Sequence, residues 1–184
     1  PVIEGGFKAL RKRLLVELGA SLPEEPLYVI GGRTGSAKTG LVNSLPGGLD
    51  LEGFAHHRGS SFGRRVEVPP AQIDFENALA LALLRQRHAH PGGALFLEDE
   101  SRQIGALSIP LELYHAMKAA PLVIVEMPLE FRIEQILRDY IGEDLADYCQ
   151  RDPQDGFRRF GEQLLASLGR IARRLGDERV RVAR

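Results

Sequence analysis

The chain is poor in the features that mark several functional classes. It holds one cysteine, Cys149, in 184 residues. A single cysteine excludes an internal disulfide and fits a reducing cytosol. The basic neighbour of Cys149 is Arg151, which favours a structural role over nucleophilic chemistry. Cys/His spacing suited to zinc is absent, and the adjacent His56-His57 makes a poor metal pair without further ligands. No apolar run approaches the length of a membrane span, and the first residues lack the layout of a signal peptide. There is little net charge: 24 Lys and Arg stand against 25 Asp and Glu, a balance of −1, so total charge is silent about nucleic acid. Internal repeats and low-complexity linkers are also missing.

What is present begins at residue 27. The apolar run Leu27-Tyr28-Val29-Ile30 leads directly into Gly31-Gly32-Arg33-Thr34-Gly35-Ser36-Ala37-Lys38-Thr39. A buried strand, a Gly-rich loop, a Lys and a Thr form the layout of a phosphate-binding P-loop. Backbone N–H groups of such a loop surround a phosphate, Lys38 adds a point charge, and Thr39 offers its hydroxyl to Mg²⁺. A helix starting near Lys38 aims its positive end at the same anion. The candidate phosphate ligands are Gly32, Thr34, Gly35, Ser36, Ala37, Lys38 and Thr39. One position departs from the template G-x-x-x-x-G-K-[ST]: Ala37 replaces the second glycine. If that position needs φ > 0, its Cβ costs about 1–2 kcal/mol, and glycine there is expected to tighten phosphate binding.

The rest of the chain alternates between strand-like and helix-like segments. Helices are expected at 7–18, 38–45, 73–87, 110–118 and 129–140, with helical apolar spacing also from Phe157 to Leu175. Strands are expected at 27–30, 49–51, 94–97 and 122–125, and residues 54–70 read as irregular. This alternation implies an α/β fold, a P-loop NTPase-like parallel sheet flanked by helices. The ligand should then lie at the carboxyl ends of the strands. A single P-loop domain over 1–184 is expected, with a helical lead-in at 1–26 and a basic helical segment at 157–184, where eight Arg face three acidic residues.

The candidate chemistry follows the strands. Glu98-Asp99-Glu100 follows the strand 94–97, as in a Walker B segment, so a carboxylate there is expected to hold Mg²⁺ directly or through water. Asp99 is the expected metal partner of Thr39, and Glu98 a candidate catalytic group. Asp50 and Glu52 follow the second strand, where small-molecule P-loop kinases carry acidic residues for the acceptor or a metal. Arg132 follows the strand 122–125 and is a candidate phosphate ligand. His56, His57 and Arg58 beside Phe54 and Phe62 are suited to a phosphate and a stacked base. No Asn-Lys-x-Asp segment is present, which argues against guanine-specific GTPase chemistry, and Asp50-Leu51-Glu52-Gly53 comes too soon after the loop to be the GTPase D-x-x-G. An ABC-type Leu-Ser-Gly-Gly-Gln segment is absent too.

Taken together, these motifs resemble the P-loop part of the tRNA 2-selenouridine synthase family. The match is carried by Glu4-Gly5-Gly6-Phe7-Lys8-Ala9, the loop 31–39, the run 50–63 (DLEGFAHHRGSSFG), Phe75-Glu76-Asn77, the run 98–105 (EDESRQIG), and Arg132 with Asp139-Tyr140. It extends over nearly the whole chain, and the 50–63 and 98–105 runs are more specific than the P-loop itself. The resemblance implies exchange of the sulfur of 2-thiouridine at the tRNA wobble position for selenium. Selenophosphate is the implied donor, and a geranylated thiouridine made from geranyl diphosphate the implied intermediate. It gives Lys38 the role of stabilising a leaving diphosphate, with Asp50, Glu52 and Glu98 as further catalytic groups. It makes tRNA the expected partner, met by His56, His57, Arg58, Arg64, Arg65, Arg173 and Arg174, in the cytoplasm and without a membrane. The family has Gly where this chain has Ala37. It also has an N-terminal rhodanese domain with a catalytic cysteine and a chain that runs on past Arg184. This chain is therefore expected to be a P-loop domain of a longer enzyme or one half of a split one. The rhodanese domain is then a partner in cis or in trans, and selenium transfer is not expected from this chain alone.

Three readings stay open on the sequence: a tRNA-modifying enzyme domain, a small-molecule or nucleotide P-loop kinase, and a non-catalytic RNA-binding module.

Overall fold

The computed structural model of the chain describes residues 4–21 and 26–182. The parts of the expected lead-in at 1–3 and 22–25 lie outside the described residues. Four parallel strands form the central sheet: β1 (Leu27–Gly32), β2 (Gly48–Leu49), β3 (Leu95–Glu98) and, after a two-stranded hairpin, β6 (Leu122–Val125). Their order is β2-β3-β1-β6. Val29 pairs with Leu97 on one side and Leu122 on the other, so β1 lies in the interior of the sheet. The hairpin is β4 (Gln103–Ile104) with β5 (Leu107–Ser108), antiparallel and separate from the sheet.

The helices are α1 (Gly6–Ser21), α2 (Lys38–Ser44), α3 (Leu51–Ala55), α4 (Gln72–Ala89), α5 (Leu111–Ala119), α6 (Leu129–Leu137), α7 (Asp144–Arg151), α8 (Gly156–Leu175) and α9 (Asp177–Val182). A π-helical turn at Arg138–Glu143 joins α6 to α7 without a break. The core forms where α4 and α5 cover one face of the sheet. Phe75, Leu79 and Leu83 of α4 and Leu113 and Met117 of α5 are buried there with Val29 and Leu97. Burial of these aliphatic and aromatic side chains is the main source of stability, at about 25 cal/mol per Å² of apolar surface. Helix α1 lies on α4, held by an Arg11–Glu76 ion pair.

β6 differs from the other strands. It pairs with β1 alone among the described strands, and Leu122, Val123 and Ile124 are all about half exposed.

The observed parallel α/β fold agrees with the expected one. Strand 122–125 falls at its expected bounds, and the other expected elements shift by one to three residues. Three things differ. Residues 51–55, expected partly as strand and partly irregular, form α3, because Asp50 caps it by accepting from the Gly53 N–H at 2.6 Å. The helix expected over 129–140 continues through the π turn into α7. The hairpin 103–108 was not expected at all: two-residue strands are too short to show alternation.

Candidate functional site

The loop between β1 and α2 opens at the carboxyl ends of the strands, above β1 and β3. Two residues fix its path. Gly35 sits at φ 80, where a Cβ would lie 2.3 Å from the Arg132 carbonyl oxygen. Only glycine lets the loop pack this closely on α6. Ala37 sits at φ 59, ψ 31, in the left-handed region, and acts as N-cap of α2. The position therefore does require the conformation in which Cβ is strained, at about 1–2 kcal/mol.

The loop borders a cavity of about 320 Å³. Its floor is the loop from Thr34 to Thr39, and its walls come from α3, the 58–65 segment and the α6–α7 connection. Lys38 Nζ donates to the Gly32 carbonyl at 3.1 Å, which keeps its ammonium over the loop. The Ser36 hydroxyl is buried and has no hydrogen-bond partner among the described residues; the same holds for Nε of Arg65 on the opposite wall. Buried polar atoms are normally paired. Two unpaired donors in the wall of a P-loop cavity leave room for an anion to supply the acceptors.

Carboxylates gather beside the loop. Glu98 is fully buried at the end of β3 and accepts from the Thr39 hydroxyl and, at 3.3 Å, from the Glu52 N–H. Thr39 also lies 3.4 Å from a Glu52 carboxylate oxygen. Burial and the neighbouring Glu100 push Glu52 up to about 7; burial and Glu52 push Glu98 up to about 7. Glu100 is raised as well, by burial and by Glu98. One cluster thus holds acids whose ordinary values are near 4.5 poised close to neutrality.

Asp99 is not part of it. The Asp99 N–H donates to Ile30 O, and its exposed side chain lies 3.4 Å from Lys118. Side chains alternate across a strand, so Glu98 and Glu100 share the pocket side and Asp99 points to the other. The expected metal partner of Thr39 is corrected accordingly: the oxygens near Thr39 belong to Glu98 and Glu52. No group of three or more His, Cys, Asp or Glu side chains able to hold a metal occurs among the described residues. Mg²⁺ in P-loop sites takes one or two protein oxygens and completes its shell from substrate phosphate and water. Thr39, Glu52 and Glu98 fit that demand, and the cation would supply charge neutralisation for a diphosphate.

Other expected residues sort differently. Asp50 is spent as the α3 cap and on Asn43, and does not line the cavity. Arg132 holds the loop from behind, donating from Nε to Thr34 O at 3.0 Å, and does not face the cavity. His56 is half exposed near Glu67 and the Val68 carbonyl. His57 is half-buried against Gly105, and burial together with Arg64 lowers its basicity. Arg58 is buried, with one guanidinium nitrogen bonded to Asp144, the other 3.1 Å from Glu143, and the group stacked over Tyr140 at 5.3 Å. Burial works against its charge, but the Asp144 bond and both acidic neighbours outweigh this and raise its pKa. Arg58 is therefore corrected from an RNA contact to an anchor that ties the 58–63 loop to α7. Arg64 is exposed, as are Arg173 and Arg174 near the end of α8. Helix α8 itself comes close to the site: Arg170 donates to Ser61 O at 2.8 Å.

Several lining residues escaped sequence reasoning. Gln135, Asp139, Tyr140 and Glu143 all reach the cavity from the α6–α7 connection. A π turn advances the chain by an extra residue, a feature frequent at functional sites. Asp139-Tyr140 was legible as a motif, but its placement was not. Gly59 and Ser60 line the cavity too, and a Cβ at Gly59 would lie 2.4 Å from Glu100 Oε2.

The comparisons with known proteins agree on one family. The model of the tRNA 2-selenouridine synthase AAA domain matches residues 25–184. The tRNA 2-selenouridine synthase of Hahella chejuensis is 48% identical over 180 residues, covering 97% of this chain and 48% of that protein. That of Pseudomonas syringae pv. tomato is 49% identical over 181 residues, covering 97% of this chain and 49% of that protein. The chain spans about half the length of the curated relatives it matches. No solved structure matches it.

Proposed function

The chain belongs to the tRNA 2-selenouridine synthase family as its AAA domain, and from that premise we propose that its P-loop binds a diphosphate during modification of a tRNA wobble uridine. The observation that carries the reading is the cavity itself. Lys38, the unpaired Ser36 hydroxyl and Arg65 Nε surround a space lined on its other side by Glu52 and Glu100. Donors there suit a leaving diphosphate, whose developing charge they stabilise.

The step is S-alkylation. The sulfur of 2-thiouridine forms a bond to C1 of geranyl diphosphate, the C1–O bond breaks, and diphosphate leaves with the electron pair. The thiouracil ring loses its N3 proton. Glu100 lines the cavity, is raised by burial and by Glu98, is not among the residues suited to the cation, and can take it. Selenophosphate then supplies selenium to C2, geranyl thiol departs, and water takes the phosphoryl group as phosphate. On this reading the second step also draws on a rhodanese domain, in cis or in trans; the chain spans about half the length of the curated relatives it matches. On this chain the exposed Arg64, Arg173 and Arg174 are suited to tRNA phosphates.

Calorimetry with ATP, GTP, geranyl diphosphate and tRNA tests the proposal. Geranyl diphosphate is expected to bind, and Lys38→Ala to abolish that binding. Binding of ATP with turnover would favour a kinase instead, and binding of tRNA alone an RNA-binding module.

A further inference from the structure

The setting of β6 does not match its sequence. Leu122-Val123-Ile124-Val125 is apolar without alternation, the pattern of a parallel strand covered on both faces. Yet Leu122, Val123 and Ile124 are 53%, 46% and 54% exposed. Leu122 and Ile124 lie over Gly31 on one face, where a Cβ at Gly31 would sit 2.9 Å from either side chain. Val123 belongs to the other face, so both faces are half open. The edge is open as well. The Val29 N–H donates to Pro121 O at 2.9 Å. Successive residues of a strand turn their backbone groups to opposite sides, so Pro121, Val123 and Val125 turn theirs to β1. Leu122 and Ile124 turn theirs outward, where no described strand meets them. Evenly spaced outward N–H and C=O groups are a template for another strand.

Topology narrows the choice of occupant. β1 returns to the sheet through α2 as β2, β2 through α3 and α4 as β3, and β3 through the hairpin and α5 as β6. β6 is followed by α6, the π turn, α7, α8 and α9, and by no strand among the described residues. The curated relatives are about twice as long as this chain, so they hold ample polypeptide for one more strand. We propose that the open edge of β6 seats a fifth parallel strand, apolar on both faces, supplied by the part of the longer family protein that lies outside this chain. A second copy of this chain fits less well. Two identical edges would meet antiparallel about a two-fold axis and satisfy the backbone, but Val123 on one face and Leu122 and Ile124 on the other would stay open. A strand that belongs to a larger body brings cover for both faces with it.

Amide hydrogen exchange at single-residue resolution tests this on two proteins, this chain and the full-length Hahella chejuensis relative. In this chain the Val123 and Val125 amides should exchange slowly and those of Leu122 and Ile124 fast. In the relative, the amides aligned with Leu122 and Ile124 should exchange about a hundredfold or more slowly than here, because they open only with the sheet. Equally fast exchange in both proteins overturns the proposal, since a cover of side chains or a helix would leave these amides unbonded. Slow exchange of Leu122 and Ile124 in this chain by itself also overturns it, since the edge would already be closed. A second measurement identifies the occupant. A photoreactive benzophenone side chain at the position of the relative aligned with Val123 should cross-link to a segment outside the region that this chain matches. Cross-links confined to the matched region, or joining the β6 segments of two copies, overturn the assignment.

Discussion

Ala37→Gly isolates the strain stored in the loop. Ala37 holds φ 59, ψ 31 at the N-cap of α2, with no side-chain cap bond. An L-residue with a Cβ pays about 1–2 kcal/mol in this region, and glycine nothing. Glycine is freer in the unfolded chain, which returns roughly 0.4–1 kcal/mol of the gain. The net effect is a stabilisation of about 0.5–1 kcal/mol. For a chain of this length that raises Tm by about 1–4 °C. The sequence suggested that glycine would tighten phosphate binding. The loop already holds the left-handed conformation at Ala37 in this structure, so the effect is expected to appear as stability. Pyrophosphate affinity should change by less than threefold. Thermal melts and urea titrations of both proteins provide the measurement, with the urea slope unchanged. A lower Tm for the variant, or a gain confined to pyrophosphate affinity, would refute the reasoning.

Four further outcomes follow from the site. Lys38→Ala should remove pyrophosphate binding with little change in Tm, because Lys38 is a partly exposed charge over the loop rather than a core group; a large Tm drop with retained affinity contradicts this. Arg58→Ala should destabilise by about 3–5 kcal/mol, since it leaves Asp144 buried without its partner; an unchanged urea midpoint is the contrary result. Glu52 and Glu98 are held at about 7 in the fold against an ordinary 4.5, so the folded chain keeps protons that the unfolded chain releases. Stability should therefore be greatest below about pH 4.5 as far as this pair is concerned, and fall by several kcal/mol, about 3 for a single acid shifted this far, as pH rises from 4.5 through 7. Glu98→Gln should flatten that slope in urea titrations at pH 5 and pH 8, and equal slopes for the two proteins would argue against it. Replacing Arg173 and Arg174 should weaken tRNA binding and reduce its salt dependence in filter-binding assays; a salt-independent affinity would move the tRNA face away from α8.

The local patterns of this sequence determined its elements and its ligand loop. Leu27–Ile30 followed by Gly32, Gly35, Lys38 and Thr39 specifies a strand, a phosphate loop and a helix, because each residue type answers a requirement within a few positions of itself. The apolar helix faces at 73–87 and 157–175 and the strand at 122–125 were legible for the same reason. Tertiary structure decided which charged groups face the ligand. Glu98 and Asp99 are neighbours in sequence, yet pleating sends one to Thr39 and the other to Lys118. Arg58 sits in a basic loop that reads as an RNA face, yet Asp144, 86 residues further on, draws it inward. Tyr140 and Leu165 share a groove only because the π turn and α8 converge there. Such pairings depend on contacts between distant segments, and the free energy that selects them comes from packing that no local pattern records.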